Sequence, residues 1–396
     1  MSARRRFWSF RASTARDVAD AIFANFLLHW FPARMRPSSL AWTPTFWLGT
    51  VSWVLFVVLL VSGLPLMVFY IPSVEDAYRS VKDIEHVVSF GWWLRAVHRL
   101  GAHLMVAAVT LHLVRVFVTG AYKNSGRAGQ RREWNWVIGV AMFFATLLLS
   151  FTGYLLPWDQ LAFWAVTVGT NIVSSAPGAG ALLRQTLIGG REIGEATLVR
   201  FYLLHIVALP IATAVLFGYH MWRVRKDGGL ARGETADEAA GELAIPAAVR
   251  RIAVVATATV LVVSVLAAVI PSPLLEPANP EMTPNPAKAP WYFLWLQEVV
   301  SDTTIRLGPV RVNGALVGGV ILPLVLAVVL TIWPWLDRSP AQAAGVAFAR
   351  ARRVQNAVFL VLVLGITVLT VVGLLRGPSW GLWWPWESWP PAPTRF

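Results

Sequence analysis

Seven apolar stretches, each long enough to cross a bilayer, govern what this chain can fold into. They cover residues 46–70, 92–119, 135–156, 197–222, 251–270, 313–335 and 354–375. A helix needs about 20 apolar residues to span a hydrocarbon core roughly 30 Å thick. Inside that core there is no water for backbone N–H and C=O groups, so each segment must satisfy its own as a helix. Composition agrees: the chain is 56% hydrophobic and 14% charged, against about 25% charged in soluble proteins. The expected class is an all-α integral membrane protein.

The distribution of Lys and Arg sets the orientation. The N-terminal arm and the second, fourth and sixth connections carry about twice as many as the opposite side, which places the N-terminus in the cytoplasm and the C-terminus outside. The net charge of +13 therefore reflects topology and does not mark a nucleic-acid binder. Residues 1–45 read as a cytoplasmic arm with an amphipathic segment from Asp17 to Phe31 lying on the membrane surface. No secretory signal precedes the first span. Residues 223–250, rich in Ala, Gly and Glu, read as a linker between a four-span unit (46–222) and a three-span unit (251–375). A Trp-rich outer tail (376–396) follows, suited to an interfacial belt. The outer connections Pro157–Thr197 and Pro271–Arg311 are long, as functional loops often are.

Two histidine pairs lie inside the apolar runs. His98 and His112 are 14 residues apart in the second span, and His205 and His220 are 15 apart in the fourth. At ~100° per residue these steps return to within about 40° and 60° of the same helix face, and each separates the rings by roughly 21–23 Å along the axis. Both spans begin outside and end inside. His98 therefore faces His205 near the outer surface, and His112 faces His220 near the inner one. Intramembrane ionisable groups are costly and functional as a rule. Two imidazoles meeting at each of two depths point to two b-type haems, each six-coordinate, with no open position for oxygen, and hence to electron transfer. His103 lies about 140° round from His98 and is not expected to ligate iron. His29 and His86 lie outside the spans.

Further residues fit a porphyrin between four helices. Gly49 and Gly63 in the first span, and Gly139 and Gly153 in the third, repeat the 14-residue spacing; a flat ring system packs closely only against residues without side chains. Arg95, Arg115, Arg200 and Arg225 each stand three to five residues from one histidine, toward its own membrane surface. They could bind outward-pointing haem carboxylates. The chain contains no cysteine, so disulfides, thiolate-held iron–sulfur clusters and covalent haem are excluded within it. The fold expected is a four-helix dihaem bundle followed by three further transmembrane helices.

Four segments carry a family resemblance: Gly-Trp-Trp-Leu-Arg-Ala-Val-His ending at His98, Leu111–Phe117, Gly153–Gln160 and Arg200–His205. Over residues 40–375 the chain resembles the cytochrome b/b6 family of quinol:cytochrome c or plastocyanin oxidoreductases. The 15-residue histidine spacing and Trp158-Asp159-Gln160 resemble the b6 branch, and the second half resembles its subunit IV. The resemblance implies quinol oxidation at an outer site, with one electron passing to a Rieske iron–sulfur protein and a c-type cytochrome. The other electron would cross to an inner quinone site in a Q cycle, in a dimeric complex of the cytoplasmic membrane. It places Gly153, Pro157, Trp158, Trp291 and Tyr292 at the outer site, and Arg225, with Asp17 or Asp20, at the inner one.

Two departures stand out. Trp47 occupies the position where the photosynthetic branch has a haem-linking cysteine. The outer-site motif Pro-Glu-Trp-Tyr reads Ala289-Pro290-Trp291-Tyr292 here. Quinol oxidation needs a base, and Pro290 has none, so Glu298, with Asp302 one turn beyond, is the expected substitute unless both simply face water. The altered motif also admits an alternative function: a non-bifurcating dihaem anchor linking the quinone pool to another external redox partner.

Overall fold

In the computed structural model residues 14, 34–35, 37–126, 129–228, 231, 243–284 and 287–376 are described. The amphipathic segment from Asp17 to Phe31, Asp20, His29 and the tail tryptophans lie outside them. All seven apolar runs are helices long enough to span a membrane. They are α1 (Leu48–Phe69), α3 (Gly91–Thr119), α4 (Arg132–Leu155), α7 (Glu195–Lys226), α8 (Ile245–Val269), α10 (Gly314–Leu336) and α11 (Arg353–Leu375). The connections between spans carry helices of their own. They contain α2 (Ala77–His86), α5 (Gln160–Ser174), α6 (Gly180–Ile188) and α9 (Trp291–Thr303).

The helices pair off before they form a bundle. α1 packs chiefly on α3, α4 on α7, and α9 on α11, with α8 covering α1 and α3. Leu55, Phe56, Ala96, Val97, Met105 and Val263 form the core shared by α1, α3 and α8. Large apolar side chains such as Val354, Val358, Val361, Leu364 and Val368 remain exposed along α11. A hydrocarbon surround makes that arrangement stable, where water would penalise it.

α7 is not a uniform helix. Residues Leu204–Ala208 form a π turn two residues before Pro210. Proline has no N–H, and its ring crowds the carbonyl four residues back; widening the turn relieves both. A π turn absorbs one extra residue. The 15-residue step from His205 to His220 thereby comes into register with the 14-residue step of α3. The same device recurs in α10, where Val317–Ile321 is π-helical ahead of Pro323.

At the end of the bundle where α3 finishes, a buried polar cluster locks the two halves together. Arg352 is 0% exposed. Its Nε lies 3.1 Å from Asp337 Oδ2, and its Nη2 donates to Phe117 O at 2.8 Å and to the Tyr122 hydroxyl at 2.7 Å. Tyr122 donates to Asp337 Oδ2 (2.8 Å), and Trp333 Nε1 donates to Tyr122 (2.9 Å). Gly120 closes α3 with φ of 61°, and a Cβ there would stand 2.7 Å from Arg352 Nη1. Only glycine suits that backbone and that approach.

Candidate functional site

The four span histidines point into the bundle from two helices, α3 and α7. The His98 and His205 rings have centroids 6.2 Å apart and planes crossing at 75°. That spacing accommodates one metal atom between two ring nitrogens, each at the roughly 2 Å of a metal–imidazole bond.

Which nitrogen faces inward follows from hydrogen-bond bookkeeping. Ser62 Oγ donates its single proton to Val58 O (2.7 Å), and Thr152 Oγ1 donates to Leu148 O (2.9 Å). Toward the imidazoles these oxygens can therefore only accept. His98 Nδ1 donates to Ser62 Oγ at 3.0 Å, while His205 Nδ1 donates to Leu149 O (3.1 Å) and Thr152 Oγ1 (3.2 Å). The Nδ1–H tautomer is fixed at both residues, leaving each Nε2 lone pair for the interior, as at metal-bound histidines generally. At the inner level the pattern differs. His112 Nδ1 and His220 Nδ1 are both buried without a hydrogen-bond partner among the described residues, the Asn135 carbonyl standing near His220.

Each glycine of the 14-residue pairs lies against one histidine. A Cβ at Gly63 would stand 3.1 Å from His98 Cε1, and one at Gly49 3.3 Å from His112 Cε1; at Gly153 it would overlap the His205 ring. Gly139 is looser, 3.8 Å from His220 Cε1. The glycines thus clear space for the imidazoles themselves, a role that spacing alone did not reveal. Ser62 and Thr152 were also missed. Their signal was present in the sequence: a hydroxyl residue precedes the glycine at both outer positions, and Leu48 and Ile138 precede it at the inner ones. Four half-buried imidazoles in two pairs, with inward nitrogens fixed at the outer pair, fit the donor set that b-type haem would need.

The arginines are more committed than their sequence positions suggest. Arg95 Nη1 donates to Glu85 (2.6 Å) and Ser272 O (2.7 Å), and Nη2 to Pro273 O (3.1 Å). It braces α2 against the connection after α8. Arg200 lays its guanidinium over Gly189, whose φ of 76° ends α6. Arg115 donates to Ala231 O (3.1 Å). Arg225 is half-buried, and its Nε has no partner among the described residues.

Arg115 also lines a cavity of about 640 Å³ at the inner ends of α1 and α3, with Phe46, Leu48, Leu111, Thr119 and Phe348. Trp47, buried at the N-terminus of α1, lies between two of these residues in sequence.

At the outer face, Trp158-Asp159-Gln160 stitches the two long connections together. Trp158 is buried, with φ of 52°, and its carbonyl accepts from Ala278 N (3.1 Å). Asp159 caps α5 by accepting from Ala162 N (2.9 Å) and also accepts from Leu275 N (3.2 Å). Burial holds the Asp159 carboxyl above its ordinary range, outweighing the two N–H groups that act to lower it. Pro157 precedes this stitch, and Trp158 forms one wall of an open outer cavity of about 310 Å³ with Tyr78, Lys82 and Pro277.

Trp291 and Tyr292 begin α9 and meet α3. Trp291 Nε1 donates to His103 Nδ1 at 3.1 Å, and the His103 and Tyr292 rings are 5.9 Å apart. Tyr292 also pairs with Ser150 of α4, and burial pushes its phenol up to about 12. Glu298 is placed elsewhere. Six residues on from Tyr292, it lies about 120° round the helix. It is 0% exposed, against Gly373 of α11, and its Oε2 pairs with Arg376 Nε at 2.8 Å. Glu298, the expected substitute base, thus faces neither Trp291 and Tyr292 nor water: a buried carboxylate needs a counter-charge, and Arg376 supplies it. Asp302, 52% exposed, shares that arginine at 3.1 Å.

A membrane bundle holding opposed histidine pairs at two depths defines a transmembrane haem protein. Residues 103–277 match the family model described as cytochrome b(N-terminal)/b6/petB, and residues 277–381 match cytochrome b(C-terminal)/b6/petD. Cytochrome b6 of Chlamydomonas reinhardtii is 40% identical over 181 residues, which is 46% of this chain and 81% of that protein. Cytochrome b6 of Synechococcus elongatus is 39% identical over the same length and the same shares. Among solved structures, a chain of "Hyperthermophilic respiratory Complex III" aligns with TM-score 0.70 and 25% identity, covering 91% of this chain and 90% of that one. The chain belongs to the cytochrome b/b6 family, with a b6-like part fused to a subunit IV-like part. It is a multi-pass, haem b-binding subunit of a quinol oxidoreductase complex.

Proposed function

We propose that this chain is the cytochrome b subunit of a bifurcating quinol:cytochrome c reductase. Quinol is oxidised at an outer site; one electron passes to a Rieske iron–sulfur protein and a c-type cytochrome, and the other returns to an inner quinone site. The observation carrying this reading is the pair of opposed histidine sets, with the tautomer of the outer set fixed by Ser62, Thr152 and Leu149. His98 and His205 hold the outer haem, and His112 and His220 the inner one. Bound haem would supply one-electron transfer there.

The chain's residues do the rest. Gly63 and Gly153 let the outer imidazoles stand upright. Arg115 and Arg225, and with them Arg95 and Arg200, answer anionic groups at the two surfaces. The Trp158-Asp159-Gln160 stitch keeps the outer loops closed over the quinol site formed with Trp291 and Tyr292. The Arg115 cavity receives a quinone ring, apolar walls meeting the ring and the guanidinium a carbonyl oxygen. Residues 46–222 act as the dihaem unit and 251–375 as the subunit IV-like unit, joined through 223–250, in a dimeric complex of the cytoplasmic membrane with the N-terminus inside. Separating charge across the bilayer stores about 2.3 kcal/mol per charge per 100 mV.

Purification of the native complex tests this. Two b haems per chain are expected, with quinol-dependent reduction of cytochrome c. His98→Ala or His205→Ala removes the outer haem, His112→Ala or His220→Ala the inner one, and His103→Ala neither. Loss of a haem in His103→Ala, with His98 dispensable, would overturn the pairing. Pro290 in place of the motif carboxylate favours a second reading, the non-bifurcating dihaem anchor. Haem reduction induced by an oxidant in the presence of an antimycin-type inhibitor separates the two, since only a bifurcating site produces it.

A further inference from the structure

Removing electrons from a quinol requires removing its hydroxyl protons, and a proton acceptor must lie within hydrogen-bond reach. Around Trp291 and Tyr292 the obvious acceptors fail. Pro290 has no side-chain base. Glu298 faces α11 in an ion pair with Arg376. The Tyr292 phenol, held up at about 12 by burial, stays protonated at neutral pH. His103 remains. It is half-buried, turned away from the two histidine pairs, and directed at Trp291 and Tyr292.

Resting on the reading above, we propose that His103 takes the proton from quinol at the outer site. Indole N–H can only donate, so the 3.1 Å bond from Trp291 identifies His103 Nδ1 as the nitrogen carrying the lone pair. A quinol hydroxyl is a donor of the same kind. It takes the place of the Trp291 N–H, whose side chain, in a residue 38% exposed, can swing aside. In the step itself the quinol O–H bond breaks, its electron pair stays on oxygen, and an N–H bond forms at Nδ1. No oxidant is needed for this transfer; the electrons leave afterwards to the iron acceptors of the proposed complex. The imidazolium then has Nε2–H from which to release a proton. The charged and titratable groups around it are Arg99, one turn outward on α3, and the groups that interact with Arg99: Tyr154 of α4, Tyr292 of α9 and Asp159 of the outer stitch.

The test uses the complete complex carrying His103→Gln, His103→Glu, Glu298→Gln, or His103→Gln combined with Pro290→Glu. For wild type, quinol oxidation is expected to rise with pH as the His103 imidazole loses its proton and to level off once it is neutral. His103→Gln should keep both haem spectra, fall by about 100-fold or more and lose that pH dependence. His103→Glu, and Pro290→Glu in the His103→Gln background, should each restore at least a tenth of the rate, because each returns a carboxylate to the site. Glu298→Gln should keep the wild-type pH profile. A His103→Gln complex with both haems and the wild-type rate and profile would overturn the assignment. So would loss of haem from every His103 variant, which would make the residue structural. A haem-replete wild-type complex that oxidises no quinol would instead overturn the reading on which the assignment rests, and the assignment with it.

Discussion

At the scale of single residues, the outer histidine level is built with almost no slack. The Gly153 hydrogen faces the His205 ring so closely that a methyl group has nowhere to go, while the Gly139 position leaves an ordinary 3.8 Å contact with His220. The two glycines are equivalent in sequence spacing and unequal in space. Gly153→Ala is therefore expected to displace His205 and abolish or severely broaden the outer haem signal. Gly139→Ala should leave both haems in place. Reduced-minus-oxidised spectra of the two variants, compared with haem content per chain, check this. Equal tolerance at both positions would show that the histidine rings stand elsewhere in the haem-loaded protein.

At the scale of elements, two features set how helices meet. The first is the π turn of α7, which absorbs the extra residue between His205 and His220. One alanine inserted after Ala214, beyond that turn, rotates His220 by about 100° relative to His205. The expected result is loss of the inner haem with the outer one retained, read from the same spectra. The second is the Arg352–Asp337–Tyr122 cluster joining α3, α10 and α11. Asp337→Asn leaves Arg352 buried beside a neutral group, a change that typically costs about 3–5 kcal/mol. Thermal unfolding of the solubilised complex should shift down accordingly. Burial works to raise the Asp337 carboxyl, but bonds from Ser339 and Tyr122, with the charge of Lys123, outweigh it and hold the group below the usual range. A depressed acid binds fewer protons folded than unfolded. Its stabilisation is thus full above the unfolded value of about 3.9 and is lost as pH falls below it. Wild type should lose thermal stability on acidification through that range, and Asp337→Asn should lose less.

For the whole molecule, the absence of cysteine makes a prediction independent of any distance. All haem should extract from this polypeptide into acidic acetone, and no haem-staining band should migrate with it on a denaturing gel. Reporter fusions should place the N-terminus in the cytoplasm and the C-terminus outside, following the Lys and Arg asymmetry.

What the sequence determined by itself was whatever depends on period and length. Seven helices were readable because a bilayer demands about 20 apolar residues per crossing, and each observed helix lies within four residues of the expected span except α8, which starts six residues earlier. The histidine and glycine faces were readable because helical geometry repeats. Only the tertiary structure decided matters that depend on which element lies opposite. Arg95 looked free and is bound by Glu85 and two carbonyls 177 and 178 residues away. Glu298 was expected as the outer-site base and is buried against α11 by Arg376. His103 looked like a bystander and meets Trp291, 188 residues on. A periodicity places a side chain on a face of its own helix. What stands across from that face comes from distant parts of the chain, and the cost of burying an unpaired polar group then selects the partner.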